Sequence, residues 1–174
     1  MKGNIILIGF MGSGKTSVGR RLAKKSGMEF LDTDWEIEKE QQCKISEIFN
    51  KQGEAVFRDM ETDLLKKLIN RQNNAVISVG GGLPVQEQNQ EYLKKLGTVI
   101  YLKASEESLW NRLKNDTTRP LLQGGNGREK IHKLMEQREA IYEKTADRII
   151  ETDGFDPDGV AEVILNKILG SDRT

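Results

Sequence analysis

The chain has 174 residues, 36% hydrophobic and 31% charged, enough for one globular domain that buries its core without disulfides or metals. Lysines and arginines number 27, as do aspartates and glutamates, so the net charge is zero and nothing suggests a polyanion-binding surface; any phosphate or carboxylate recognition has to be local. The single cysteine, Cys43, permits no internal disulfide and suits a reducing compartment; it reads as a lone thiol on a helix, with no basic cluster beside it in sequence.

The apolar run NIILIG (4–9) predicts a buried strand. No basic segment followed by a long apolar stretch precedes it and no window has transmembrane length, so neither a signal peptide nor a membrane span is expected, and the protein is expected to be cytoplasmic. After the loop GFMGSGKT (9–16), KTSVGRRLAKKSG (15–27) predicts a helix closed by a glycine. MEFLDTD (28–34) predicts a second strand ending in Asp32 and Asp34, alternate extended positions with Thr33 between them.

Helices are expected around 35–42, 45–51 and 54–71, then a third strand, NAVISVGGG (74–82), running into glycines. A helix over 85–97 and a strand over 98–104 follow, and Ser105 is placed to cap a helix reaching Lys114. The polar, glycine-rich stretch 115–127 reads as a mobile loop. A helix over 128–144, a fifth strand (146–152), and Asp156-Pro157 opening a last helix complete the pattern.

Alternating strands and helices mean an α/β fold: a parallel sheet covered by helices on both faces. Ligands of such sheets collect beyond the carboxyl ends of the strands. The glycine loop, Asp32/Asp34 and Gly80–Gly82 all fall at such ends.

Gly9-x-x-x-x-Gly14-Lys15-Thr16, with a strand before and a helix after, is a phosphate-binding P-loop. Its backbone N–H groups turn inward around a phosphate, Lys15 reaches the β/γ oxygens, and Thr16 offers its hydroxyl to Mg²⁺. The third strand ends without the acidic residue that often orients metal or water in P-loop proteins; three glycines there let a ligand approach the backbone instead. Arg58, Arg112, Arg119 and Arg138 stand out only as members of a set, with Glu61 one turn after Arg58 to hold it. His132, the only histidine, reads as a surface residue without a role.

Together these motifs resemble the shikimate kinase family: GFMGSGKT including Met11, the Asp32-x-Asp34 pair, Phe57-Arg58 with Glu61, Gly80–Gly82, the RPLL lid sequence (119–122), and the late Arg138, Tyr142, Ala146 and Asp147. The set spans residues 4 to about 168 in order and departs from the family at no motif position. The resemblance implies a single domain over 1–174 with a three-layer α/β/α P-loop kinase fold, five parallel strands in the order 2-3-1-4-5, a substrate-binding subdomain at about 33–61 and a lid at about 115–127. It implies transfer of the γ-phosphate of ATP to the 3-hydroxyl of shikimate, with ATP and Mg²⁺ required and no nucleic-acid or membrane partner, by a monomer. Nucleotide contacts then fall to Gly12, Ser13, Gly14, Lys15, Thr16, Ser17, Arg112 and Arg119, and Mg²⁺ to Thr16 and Asp32. Shikimate contacts fall to Asp34, Arg58, Gly80, Gly81, Gly82 and Arg138, and the catalytic parts are Lys15, Asp34 and Arg119.

The residue chemistry points the same way. A carboxylate-bearing polyol needs cationic forks at one end and an acceptor at the other, which two arginines and Asp34 supply. The alternatives are another small-metabolite kinase of this fold, such as a gluconate kinase, or a non-catalytic nucleotide-binding module.

Overall fold

The computed structural model describes residues 3–71, 74–115 and 126–169. In chain order the elements are β1 (Asn4–Ile8), α1 (Lys15–Ser26), β2 (Glu29–Asp32), α2 (Thr33–Gln41), α3 (Ile45–Gln52), α4 (Glu54–Ile69), β3 (Ala75–Ser78), α5 (Glu87–Leu96), β4 (Gly97–Lys103), α6 (Glu106–Leu113), α7 (Gly127–Thr145), β5 (Arg148–Glu151) and α8 (Pro157–Leu169). The strands form one parallel sheet in the order β2-β3-β1-β4-β5.

Strand alternation sends successive side chains to opposite faces, and each face builds its own core. Ile5, Leu7, Val76, Ile100 and Leu102 pack against Val18, Leu22 and Ala23 of α1 and Val160, Ala161 and Ile164 of α8. Ile6, Ile8, Ile77, Val99 and Tyr101 face the other way, onto residues of α2 to α7 that include Ile37, Ile48, Leu65, Leu93 and Tyr142. Each fully buried aliphatic side chain of this kind contributes about 1.5–3 kcal/mol of transfer free energy. β1 lies between β3 and β4, so the chain reverses its direction of travel across the sheet beside the carboxyl end of β1. That is where an open parallel sheet leaves a crevice.

Local signals set several helix ends. Ser105 accepts from the Ser108 N–H at 3.2 Å at the start of α6, and Asp156 accepts from the Gly159 N–H at 2.7 Å at the start of α8. Three expectations need correction. Asp32 and Asp34 do not alternate on a strand: Asp32 is the N-cap of α2, its Oδ1 accepting from the Asp34 N–H at 3.1 Å, which turns the chain helical at Thr33. β3 stops at Ser78, because the Gly80 N–H turns to the Thr33 hydroxyl at 3.1 Å, and a single 3₁₀ turn at Leu83–Val85 precedes α5. Cys43 is not on a helix but in the bend between α2 and α3, half-buried against the core.

Candidate active site

Gly14 caps α1 with φ of 94°, a left-handed conformation that a side chain disfavours, and so opens the helix N-terminus toward the loop. Lys15 is buried, and its Nζ donates to the Gly9 and Phe10 carbonyls at 2.8 and 2.9 Å, lying back over the loop. The Thr16 hydroxyl donates to Asp32 Oδ2 at 2.9 Å, so one carboxylate caps α2 and reaches α1. A cavity of about 390 Å³ opens over this loop, lined by Gly12, Gly14, Lys15, Thr16, Ser17, Asp32, Asp34, Gly80, Gly81 and Arg112 among others.

A smaller cavity of about 90 Å³ adjoins it and shares Met11, Asp34, Gly80 and Gly81 with it. Its other walls include Arg58, Glu61, Gly82, Arg138 and the rings of Phe49 and Phe57. Gly80 is needed by close approach: a Cβ there would lie 2.8 Å from Asp34 Oδ1 and 2.8 Å from Glu61 Oε1. Arg138 is buried, and among the described residues its Nη1 has no hydrogen-bond partner. A buried guanidinium nitrogen left without an acceptor, beside a second arginine, favours an anionic group in the cavity.

Arg58 is held by two carboxylates through all three of its guanidinium nitrogens. Its Nη1 donates to Glu61 Oε2 at 2.8 Å, while Nε and Nη2 donate to Glu54 Oε1 at 3.2 and 2.7 Å. Glu54 is half exposed, so that pair gives way to a ligand at little cost. Glu61 is fully buried; burial pushes its carboxyl up to about 7, against the pull of the Arg58 cation.

A third cavity, of about 300 Å³, shares Gly14, Ser17 and Arg112 with the first and adds Ser13, Thr152, Phe155 and Pro157. Arg112 donates to the Gly12 carbonyl at 3.0 Å and so stands where the two meet. Every site residue expected from the sequence thus lines one of three cavities, apart from Arg119, which with most of the expected lid lies outside the described residues. His132 is exposed and bonded to Glu106 at 2.9 Å, outside all of them.

Sequence reasoning missed Glu54, whose i,i+4 spacing to Arg58 was a readable signal. It also missed Thr33, and the 152–157 turn beyond β5, which only its position at a strand's carboxyl end would have marked.

The pattern of the family described as shikimate kinase matches residues 11–169. The chain belongs to the shikimate kinase family. It is 49% identical over 164 residues to a shikimate kinase of Thermodesulfovibrio yellowstonii, covering 94% of each chain. Its fold superposes with a TM-score of 0.95 on a shikimate kinase from Acinetobacter baumannii in complex with shikimate, at 41% identity, covering all of this chain and 97% of the other. A gluconokinase from Sinorhizobium meliloti, with a TM-score of 0.59 and 15% identity over 99% of this chain and 98% of its own, shares the fold alone. The match to the shikimate kinase family thus runs over residues 11–169, whereas the likeness to the gluconokinase is one of fold.

Proposed function

We infer that the protein transfers the γ-phosphoryl group of ATP to the 3-hydroxyl of shikimate. The observation that carries this reading is the pair of adjoining cavities, with the P-loop in one, two arginines lining the other, and Asp34 on their common wall. A carboxylate gripped by Arg58 and Arg138 leaves the hydroxyl end of a small acceptor turned toward Asp34 and the P-loop.

In the reaction the hydroxyl oxygen forms a bond to the γ-phosphorus as the bond to the β,γ-bridging oxygen breaks, and ADP leaves. Asp34 accepts a hydrogen bond from the hydroxyl and takes or relays its proton. Lys15 exchanges its loop carbonyls for β/γ oxygens, and the N–H groups at the start of α1 hold the phosphates. Arg112 and the turn carrying Phe155 and Pro157 flank the space left for the base. Arg119 is assigned to the transferring phosphate by the family resemblance.

Mg²⁺ fits the donor set of the first cavity. Thr16 Oγ1 and Asp32 Oδ2 are hard oxygens 2.9 Å apart, and this ion takes one or two protein oxygens and completes its shell with phosphates and water. When bound there it neutralises the charge on the β and γ oxygens. Residues 33–61, from α2 to the Arg58 turn of α4, serve as the acceptor-binding subdomain, and a single chain supplies lining residues to both cavities, which supports activity as a monomer. A lone cysteine suits the reducing cytoplasm, and no described helix is long and apolar enough to cross a membrane.

The deciding experiment measures ADP release from ATP and Mg²⁺ with shikimate, gluconate or nucleoside monophosphates as acceptor. Shikimate is expected to stimulate release far above the others; equal rates across the panel sink the assignment.

A further inference from the structure

Tyr142 lies on α7 one turn beyond Arg138, is fully buried, and lines neither the P-loop cavity nor the acceptor cavity. Its hydroxyl nevertheless donates to the Gly81 carbonyl at 2.6 Å, joining residues 61 positions apart. The ring is held by packing on Tyr101, with centroids 5.2 Å apart. Burial pushes the phenol up to about 12, with the Arg138 cation pulling the other way, so the hydroxyl keeps its proton to donate at neutral pH.

Gly81 is the point at which the glycine turn meets the P-loop. A Cβ there would lie 3.2 Å from the Met11 nitrogen and 3.3 Å from the Gly9 oxygen. The Gly81–Gly82 peptide is planar, with its C=O and N–H pointing opposite ways. Anchoring the Gly81 carbonyl to α7 therefore aims the Gly82 N–H away from α7 and fixes the tilt of the whole turn. The same helix face carries Arg138, because residues four apart stack on one side.

We propose that Tyr142 is a positioning residue for the acceptor: through its hydroxyl it fixes the Gly81–Gly82 peptide and the neighbouring Arg138 guanidinium relative to the P-loop. It touches neither substrate. The proposal rests on reading the smaller cavity as the acceptor site. Losing the brace frees the turn and the arginine to tilt, which weakens acceptor grip and lengthens its distance to the donor. ATP, held by the loop and α1, is unaffected.

Tyr142→Phe removes the hydroxyl and keeps the ring. The expected result is a rise of about fivefold or more in the shikimate KM with a lower kcat, an ATP KM within about twofold of wild type, and a melting temperature within about 2 °C. Tyr101→Phe, which removes the hydroxyl of the adjoining ring, serves as control and should leave both KM values unchanged. No change in Tyr142→Phe, a loss in kcat alone that tracks folded protein, or an equal rise in both KM values overturns the proposal. Calorimetric titration of shikimate into wild type and variant separates the two levels of inference. Failure of wild type to bind or turn over shikimate overturns the acceptor reading itself, whereas equal affinity of wild type and variant overturns only the brace.

Discussion

Glu61 is entirely buried, and its one ionic partner among the described residues is Arg58, with Oε2 2.8 Å from Nη1. The two are three residues apart on α4, so the pair is a product of helix geometry. Its burial is a product of the fold, because α4 turns this face toward Gly80 and Asp34.

Glu61 gives the protein a pH-dependent stability of definite sign. Its folded carboxyl sits near 7, above the ordinary 4.5, so the folded state binds more protons than the unfolded state between those values. Stability from this group is therefore full below about 4.5 and is lost as pH rises toward 7. Glu61→Gln should flatten the stability profile over that window in denaturant titrations at successive pH values. Glu61→Ala, which leaves Arg58 Nη1 without its buried acceptor while Glu54 still holds Nε and Nη2, should cost about 1–3 kcal/mol.

Arg58→Ala tests the carboxylate grip. The shikimate KM should rise about 10- to 100-fold, the value of one charged hydrogen-bonding partner, with the ATP KM nearly unchanged. A parallel rise in both would place Arg58 outside the acceptor site.

Asp34→Asn keeps the shape of the first turn of α2 and removes the charge. Turnover should fall about 100-fold, as expected when a positioned proton acceptor is lost, while nucleotide affinity measured by titration stays within about twofold. Unchanged turnover would remove Asp34 from the reaction.

Tyr101→Phe addresses stability rather than chemistry. The Tyr101 hydroxyl is buried and has no hydrogen-bond partner among the described residues, so its desolvation goes uncompensated. Removing it should leave stability unchanged or raise it by up to about 1 kcal/mol in chemical denaturation. A loss well beyond that would mean that the hydroxyl has a bonding partner after all.

The P-loop was readable in full because strand, glycines, lysine and helix are contiguous, and their chemistry depends on backbone torsions set within a few residues. The Arg58–Glu61 pair was readable for the same reason. Asp32 and Asp34 were placed at the right strand end but in the wrong conformation. An aspartate that can cap a helix and one that ends a strand look alike until the following N–H groups are seen to lack other acceptors.

The residues alone thus determined the alternation of strands and helices and the phosphate loop; the strand order and the arginine-rich acceptor site came from family resemblance. Only the folded chain decided which groups complete that site: the Thr33 hydroxyl on Gly80, Glu54 on the outer side of the Arg58 fork, the Tyr142 hydroxyl on Gly81. The first class rests on interactions within one or two turns of chain, whose geometry repeats with residue spacing. The second includes bonds spanning 47 and 61 positions, and no local period encodes which donor will meet which acceptor once two strand ends and a helix are packed together.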